Sequence, residues 1–262
     1  MGFTLWGPTT ISMGFIPVFM MYAAGWRRSI LKFSRSSKMA ALRSRKVVEL
    51  FYDVISPYSW VAFEVLCRYR SRWNIDLQLR PFFIGGVFKE TGNKPPGLLA
   101  AKYDYAQHDL RRLADFYKIP VKMPPMERLM RRENVNSNRL LTAVNLDCPE
   151  HLENLSRELW MRVMSRDQDI SDPASLETAA AAAGIPSGTT PQLLRRIHDD
   201  DVKAALKDTT NQALAYGAFG APTIVAHVEG TPVMIWGSDR FPLLAHMLGE
   251  RWEGPLREMA KY

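Results

Sequence analysis

The sequence is poor in cysteine, with only Cys67 and Cys148 in 262 residues. Two cysteines this far apart in the chain form neither a CxxC redox motif nor a metal-ligand cluster. They also exclude the dense disulfide framework of small secreted domains. We therefore predict that both cysteines pack as small buried hydrophobic residues, which is compatible with a reducing compartment.

Acidic residues are absent from the first 45 positions, which contain seven basic residues. Those seven account for the entire formal charge of +7, so residues 46–262 carry no net charge. A nucleic-acid-binding domain needs a basic surface for the phosphate backbone. We therefore expect no nucleic-acid partner.

The N-terminus also lacks a hydrophobic run long enough to span a bilayer, because Gly14 and Pro17 interrupt the apolar stretch. Basic residues follow that stretch, whereas in a secretory signal they precede it. The acid-free, Arg- and Ser-rich segment 27–46 is typical of a mitochondrial presequence. We predict the mitochondrial matrix, or the cytoplasm if the extension is not a targeting signal. The alternatives for this segment are an untargeted extension and a membrane anchor. At the other end of the chain, the last three residues are not a peroxisomal signal.

A β-α-β unit opens the folded part. Val47–Asp53 is an apolar, β-rich run that predicts a strand, and Ile75–Phe83 alternates like a second one. The segment between them has apolar residues at helical spacing. Ser56 fits the N-cap of that helix and Pro57 fits its first position, where a missing N–H costs nothing.

A long helical region and a second αβ unit follow. Two further strands are predicted at Thr223–Val228 and Val233–Trp236, joined by a turn at residues 229–231. A last helix is predicted from Asp239 to Arg251, with Ser238 as its N-cap. Between the two units, helical spacing is found in Leu98–Tyr117, Ser137–Asp147, Glu150–Arg166, Pro173–Ala183, Pro191–His198 and Asp201–Tyr216.

This order predicts an α/β, thioredoxin-like (DsbA-like) fold with a large all-helical domain inserted between its β-α-β and β-β-α halves. The predicted divisions are an N-terminal extension (1–45), the first thioredoxin-like half (46–100), the helical insertion (101–216) and the second half (217–262). In such a fold the start of the first helix faces the start of the third strand. Pro222, which opens that strand after Gly220-Ala221, is a candidate cis-proline.

Six segments, in order, resemble the signature of the kappa-class glutathione transferases. They cover most of residues 46–255 and read VELFYDVISPYSW (48–60), GNKPPGLL (92–99), TAVNL (142–146), RELWMRVMSR (157–166), YGAFGAPTIVAHV (216–228) and GSDR (237–240). The class is related to DsbA-type oxidoreductases and to 2-hydroxychromene-2-carboxylate isomerases. One departure is Ala221, where members often carry leucine; because the expected contact is through the backbone, we expect little effect.

The resemblance implies an enzyme that binds and ionises glutathione and conjugates its thiolate to small hydrophobic electrophiles, with peroxidase activity left open. It implies a homodimer, no metal site and no cofactor beyond glutathione as co-substrate. Ser56 would donate its hydroxyl to the glutathione sulfur. The other implied glutathione-binding residues are Pro57 and Tyr58 beside that sulfur, Asn93 and Lys102 at the glycyl carboxylate, Asp109 at the outer edge, Ala221 and Pro222 at the cysteinyl backbone, and Ser238 and Asp239 at the γ-glutamyl end.

Other interpretations of the same residues remain. Ser56 and Ser238 could be ordinary helix caps, and Asp239 could simply complement a helix dipole. Disulfide exchange is excluded because Ser56 and Ser59 occupy the two CxxC positions. The alternative functions are a glutathione-dependent isomerase of the 2-hydroxychromene-2-carboxylate type and a non-catalytic glutathione-binding partner protein.

Overall fold

A computed structural model describes residues 44–123, 125, 127 and 134–262. The predicted presequence lies outside these residues, apart from Ser44 and Arg45. Residues from Arg45 onward form one compact unit, so the division of this unit into a thioredoxin-like part and an inserted domain stays a prediction. Within the described ranges, no helix has the length and apolarity needed to cross a bilayer.

A four-stranded mixed sheet is the centre of the unit, as the sequence predicts. Its strands are β1 (Lys46–Tyr52), β2 (Ile75–Pro81), β3 (Thr223–Val228) and β4 (Thr231–Trp236), in the order β2-β1-β3-β4. β1 pairs with β2 in parallel, whereas the β1–β3 and β3–β4 pairs are antiparallel. The parallel pair requires a crossover, which the first helix, α1 (Pro57–Tyr69), supplies.

Eight more helices are described, most of them between β2 and β3. They are α2 (Ile84–Thr91), α3 (Ala100–Tyr117), α4 (Asn134–Asp147), α5 (Leu152–Trp160), α6 (Pro173–Ala182), α7 (Thr190–Arg196), α8 (Asp200–Ala215) and α9 (Phe241–Leu248). The chain order is therefore β-α-β, a helical block and β-β-α, which confirms the predicted thioredoxin-like fold.

Both faces of the sheet are covered. Val48, Leu50 and Tyr52 of β1 pack into a large core with α1 and the helical block, whereas Phe51 joins a smaller cluster on the other face with Phe82 and other buried residues. This division follows from the two-residue repeat of a strand, which points alternate side chains to opposite faces. Burying each such side chain stabilises the fold by about 1.5–3 kcal/mol.

Two helical segments differ from the sequence prediction. α2 is missing from it, because Gly85 and Gly86 lie in the first turn and glycine is a poor helix former. The single helix predicted over Glu150–Arg166 is instead α5 followed by a π-helical turn at Met161–Ser165. A change from α to π geometry leaves the apolar spacing nearly unchanged, so the sequence pattern does not reveal it.

The prediction for the last helix was wrong at both ends. α9 begins at Phe241 with Arg240 as its N-cap, so Ser238 does not cap it. Pro242 explains the start: in a helix beginning at Asp239, proline would occupy a position whose N–H is needed for the first intrahelical bond. The helix stops before Gly249, whose φ of 68° places it in the left-handed region.

Candidate functional site

Three segments of the predicted site leave the sheet at one edge. Phe51, near the end of β1, pairs with Thr223 at the start of β3, and Thr223 pairs with Trp236 at the end of β4. The residues just beyond these pairs are therefore neighbours at that edge. They are the turn 53–56 after β1, Gly220–Pro222 before β3 and Gly237–Asp239 after β4.

Ser56 is the N-cap of α1, as the sequence predicts. Its Oγ accepts a hydrogen bond from the backbone N–H of Ser59 at 3.1 Å, and Pro57 occupies the first turn. Since this oxygen already serves as an acceptor, the hydroxyl proton is free to point away from the helix. The Tyr58 N–H donates to no group among the described residues. The positive end of α1 therefore offers one hydroxyl and one amide donor to an anion.

The turn before Ser56 is held by a buried carboxylate, which the sequence analysis missed. Asp53 is fully buried, and its oxygens accept hydrogen bonds from the N–H groups of Ile55 (3.1 Å) and Ile84 (2.9 Å) and from the side-chain amide of Asn134 (2.7 and 2.8 Å). The Ser56 N–H donates to the Asp53 carbonyl at 2.9 Å. Burial raises the pKa of Asp53, and the donors around it partly offset this effect. Asp53 thus links β1, α2 and α4 directly behind Ser56.

The predicted cis-proline is present, because the Ala221-Pro222 bond is cis. Ala221 lies outside the β1–β3 ladder, and its backbone N–H and C=O have no hydrogen-bond partner among the described residues. The Pro222 carbonyl accepts a bond from the Gly237 N–H at 3.1 Å, which joins this turn to the end of β4. An extended ligand can therefore pair with Ala221 as a further strand would.

Asn93 reaches the same turn from the loop after α2. Its side-chain amide donates to the Phe219 carbonyl at 2.6 Å, and its Oδ1 accepts from the Lys94 N–H at 2.8 Å. Lys102 is exposed on α3, and in the part of the chain that the structure describes it forms no side-chain hydrogen bond or ion pair with the other predicted site residues. It is two helical turns before Asp109, so the two residues share one face of α3.

The hydroxyl of Tyr58 has a partner that the sequence analysis did not identify. It donates to Asp109 Oδ2 at 2.9 Å, which joins the first turn of α1 to the middle of α3. Burial raises the pKa of Tyr58, and the nearby Asp109 carboxylate adds to the effect. Tyr58 therefore remains a neutral hydrogen-bond donor at physiological pH, and Asp109 is part of the wall beside Ser56.

Ser238 and Asp239 follow β4 but differ in environment. Ser238 is buried, with 6% of its surface exposed, whereas the Asp239 side chain is 67% exposed and forms an ion pair with Arg240 at 3.1 Å. Gly237 has a φ of 104°, and a Cβ there would lie 2.7 Å from Asp239 Oδ1. Glycine is therefore required for the Asp239 carboxylate to fold back towards the strand end.

Neither cysteine provides a nucleophile at this site. Both are free and pack against the hydrophobic core, but they are partly buried and not fully buried as predicted. Burial raises the pKa of each thiol, which disfavours the reactive thiolate. In the ranges that the structure describes, no cluster of three His, Cys, Asp or Glu side chains could hold a metal ion.

A cavity of about 480 Å³ opens beside the edge strand β2, but none of the predicted site residues lines it. Arg70, Arg80, Glu150 and Glu153 are in its wall. The charged lining and the absence of Ser56 separate it from the sheet edge described above. The candidate site is therefore defined by the strand ends and not by this cavity.

Comparison with known proteins identifies relatives of the chain. Residues 47–249 match a family model of the DsbA-like thioredoxin domain. The chain is 52% identical over 213 residues to glutathione S-transferase kappa 1 of Homo sapiens, covering 80% of this chain and 94% of the human protein. It is 46% identical to glutathione S-transferase kappa 1 of Rattus norvegicus, with the same coverage.

A solved structure of a 2-hydroxychromene-2-carboxylate isomerase is similar in fold. It superposes with a TM-score of 0.61 at 20% sequence identity, covering 78% of this chain and 94% of the isomerase. At this identity the likeness concerns the fold alone. The two transferases are covered to the same extent but are 46–52% identical in sequence.

Proposed function

This chain belongs to the kappa class of glutathione transferases, within the DsbA-like thioredoxin family, and from this premise we propose that it ionises glutathione at Ser56 and conjugates it to small hydrophobic electrophiles. The observation that carries the proposal is the N-cap geometry of Ser56. Its Oγ accepts from the Ser59 N–H, so its own proton is available to a ligand at the positive end of α1. Ser56 acts as a donor to the sulfur and not as a nucleophile.

The energies of these contacts are sufficient for ionisation. A free thiol has a pKa near 8.5, and lowering this pKa by about two units requires roughly 2.7 kcal/mol. A hydrogen bond to a charged group contributes about 1.5–3 kcal/mol, and a helix N-terminus contributes about 0.3–2 kcal/mol. The Ser56 hydroxyl and the first turn of α1 therefore suffice without a general base. The thiol proton passes to solvent, and the thiolate attacks an electrophile held beside it.

The remaining site residues suit the peptide-like body of glutathione. The N–H and C=O of Ala221, which have no partner among the described residues, match the cysteinyl backbone of an extended ligand. Asp239 provides a negative charge for the γ-glutamyl ammonium, and Ser238 provides a hydroxyl for its carboxylate. Asn93, whose amide donates to the Phe219 carbonyl beside this edge, and Lys102 would meet the glycyl carboxylate. These assignments rest on residue chemistry and on the shared sheet edge.

The isomerase alternative uses the same fold and also begins with glutathione at a serine. It is less supported, because the isomerase structure is 20% identical to this chain whereas the two transferases are 46–52% identical. Assays of both reactions with the wild-type protein separate the two functions. Isomerisation without conjugation would favour the alternative.

We predict that Ser56→Ala raises the pKa of the bound thiol by about one to two units, since it removes a bond of about 1.5–3 kcal/mol. At pH 6.5, kcat/KM for conjugation of 1-chloro-2,4-dinitrobenzene should fall about 10- to 100-fold. The loss should shrink as the pH rises past the thiol's new pKa. Ultraviolet titration of bound glutathione and the pH profile of kcat/KM measure both effects.

Ser59→Ala is the matched control. The Ser59 hydroxyl is buried without a hydrogen-bond partner among the described residues, and the variant keeps the N–H that binds Ser56. It should leave the thiol pKa unchanged. Unaltered thiolate formation in Ser56→Ala, or an equal loss in both variants, would contradict the proposed mechanism.

An apolar surface for the electrophile lies next to Ala221. Phe219 and Trp236 are 39% and 48% exposed, with ring centroids 5.1 Å apart. A Cβ at Gly220 would lie 2.8 Å from the Trp236 indole nitrogen, so the ring rests directly against this turn. Aromatic faces of this kind bind flat hydrophobic electrophiles well. We assign the second substrate to this pair.

Trp236→Ala should raise KM for 1-chloro-2,4-dinitrobenzene about 5- to 10-fold, because it removes an aromatic contact of about 1 kcal/mol or more. KM for glutathione should change less than twofold. Trp236→Phe, which keeps an aromatic ring, should behave nearly like the wild type. Steady-state kinetics with each substrate varied in turn measure the difference, and equal changes in the two KM values would refute the assignment.

The N-terminal segment is proposed to direct the protein to the mitochondrial matrix. Its support is the composition of residues 1–45, with seven basic residues and no acidic one. A fusion of residues 1–45 to a fluorescent protein should co-localise with a matrix marker. Replacing the seven basic residues by glutamine should abolish this import, and a wild-type fusion that stays in the cytoplasm would exclude the proposal.

The protein is further proposed to be a homodimer, as membership of the class implies. Light scattering of the purified chain should give a mass of about twice 29.8 kDa. A mass equal to one chain at micromolar concentration would contradict the dimer.

A further inference from the structure

One contact of Ser56 comes from a distant helix. The Ser56 carbonyl accepts the intrahelical bond from the Trp60 N–H at 3.3 Å and a second bond from the indole N–H of Trp160, also at 3.3 Å. Trp160 is the last residue of α5, is fully buried and belongs to the RELWMRVMSR motif. None of the catalytic steps above uses this motif.

The bond fixes the peptide that sets the direction of the serine side chain. Ser56 has a φ of −95° and a ψ of 113°, the extended geometry of an N-cap. Holding the carbonyl from the protein interior fixes the rotation of the Ser56-Pro57 peptide. The Ser56 carbonyl faces Trp160, and its Oγ faces the Ser59 N–H. Because both groups are fixed, the backbone determines where the hydroxyl proton can point.

Trp160 is itself held firmly. Its ring stacks on Trp60 at 6.3 Å with an interplanar angle of 5°, and contacts Phe63 at 4.9 Å and Tyr52 at 5.2 Å. Arg157, one turn earlier on α5, binds the buried carboxylate of Glu64 on α1 at 2.8 Å. The aromatic stack and the ion pair both join α5 to α1, so the indole N–H cannot turn away without disrupting two helices.

The backbone directly after Trp160 departs from regular α-helical geometry. α5 changes to a π-helical turn at Met161–Ser165, immediately after this residue. Single π-helical turns cost stability and occur frequently at functional sites, where they displace a side chain from its regular position. Here the change follows the residue that contacts the serine.

We propose that Trp160 is a positioning residue for the glutathione thiolate: its indole N–H holds the Ser56 carbonyl and thereby directs the Ser56 hydroxyl at the sulfur. This inference rests on the proposed function of Ser56. Trp160 acts through the serine backbone and does not touch the substrate. Its loss should therefore change the ionisation of bound glutathione more than the affinity for the electrophile.

The test compares two stacked, fully buried tryptophans. Trp160→Phe removes the N–H that reaches Ser56. Trp60→Phe removes an indole N–H that, among the described residues, binds only Glu64 and Tyr262, at 3.2 and 3.0 Å. Trp160→Phe should raise the pKa of the bound thiol, so that kcat/KM at pH 6.5 falls about tenfold and recovers at high pH. Trp60→Phe should lower the melting temperature by a similar amount but leave the thiol pKa at the wild-type value.

A second variant separates the loss of the N–H donor from the effect of misfolding. Replacing Trp160 by 3-benzothienylalanine keeps the bicyclic shape but exchanges the N–H for sulfur, so only the donor is lost. This variant should show the same rise in the thiol pKa with nearly wild-type stability. A wild-type thiolate titration in it would overturn the inference, as would equal losses of thiolate in Trp160→Phe and Trp60→Phe.

The titration of the wild-type protein separates the inference from the function on which it rests. If wild-type protein forms no thiolate with glutathione at pH 7, the proposed function fails, and the inference fails with it. If the wild type forms the thiolate and the Trp160 variants form it equally well, only the inference fails.

Discussion

The N-cap of α1 is held by hydrogen bonds from several parts of the chain, and the candidate site depends on this arrangement. The Ser56 N–H binds the Asp53 carbonyl, its Oγ accepts from the Ser59 N–H, and its carbonyl accepts from Trp160. Within the described part of the chain, the hydroxyl proton of Ser56 has no fixed partner. This hydroxyl, beside the Tyr58 N–H at the positive end of α1, suits a thiolate ligand.

Distant segments meet at this cap because of the sheet topology. The parallel β1–β2 pair places α1 on one face of the sheet, and the antiparallel β3 and β4 return the chain to the same edge. Ala221 and Asp239 are therefore at the same sheet edge as a serine more than 160 positions earlier in the sequence. The buried Glu64–Arg157 pair then connects α1 to the helical block. Removing one partner of such a pair typically costs about 3–5 kcal/mol, so the block stabilises α1 as well as covering the sheet.

Much of this arrangement could be predicted from local sequence signals. Ser56-Pro57 carries its own cap chemistry, and Pro222 at a strand start suggested the cis bond that is observed. The order of the strands and helices was sufficient to predict the fold class. Long-range contacts gave no such signal: nothing in the sequence around Trp160 indicates that its N–H reaches a carbonyl 104 positions away. Likewise, the sequence indicated Asp53 only as the end of a strand. In the structure its buried carboxylate accepts a hydrogen bond from Asn134 and so supports the turn. The prediction that Ser238 caps the last helix was wrong, because it did not take into account how Pro242 shifts the start of that helix.

Replacing a cysteine by serine at a helix N-terminus changes what the protein must recognise. In a thiol-disulfide enzyme the helix stabilises a thiolate of the protein itself, and contacts with the substrate peptide can be weak. Here the thiolate must arrive with the ligand, because the chain's own thiols are partly buried and burial raises their pKa values. Binding of the ligand backbone then becomes part of catalysis, because the helix N-terminus stabilises the thiolate only when the rest of the ligand holds the sulfur in place. In the proposed site, the Ala221 backbone, which is unpaired among the described residues, and the exposed Asp239 carboxylate would meet this requirement. This explains why the polar groups are spread along the whole sheet edge and are not confined to α1.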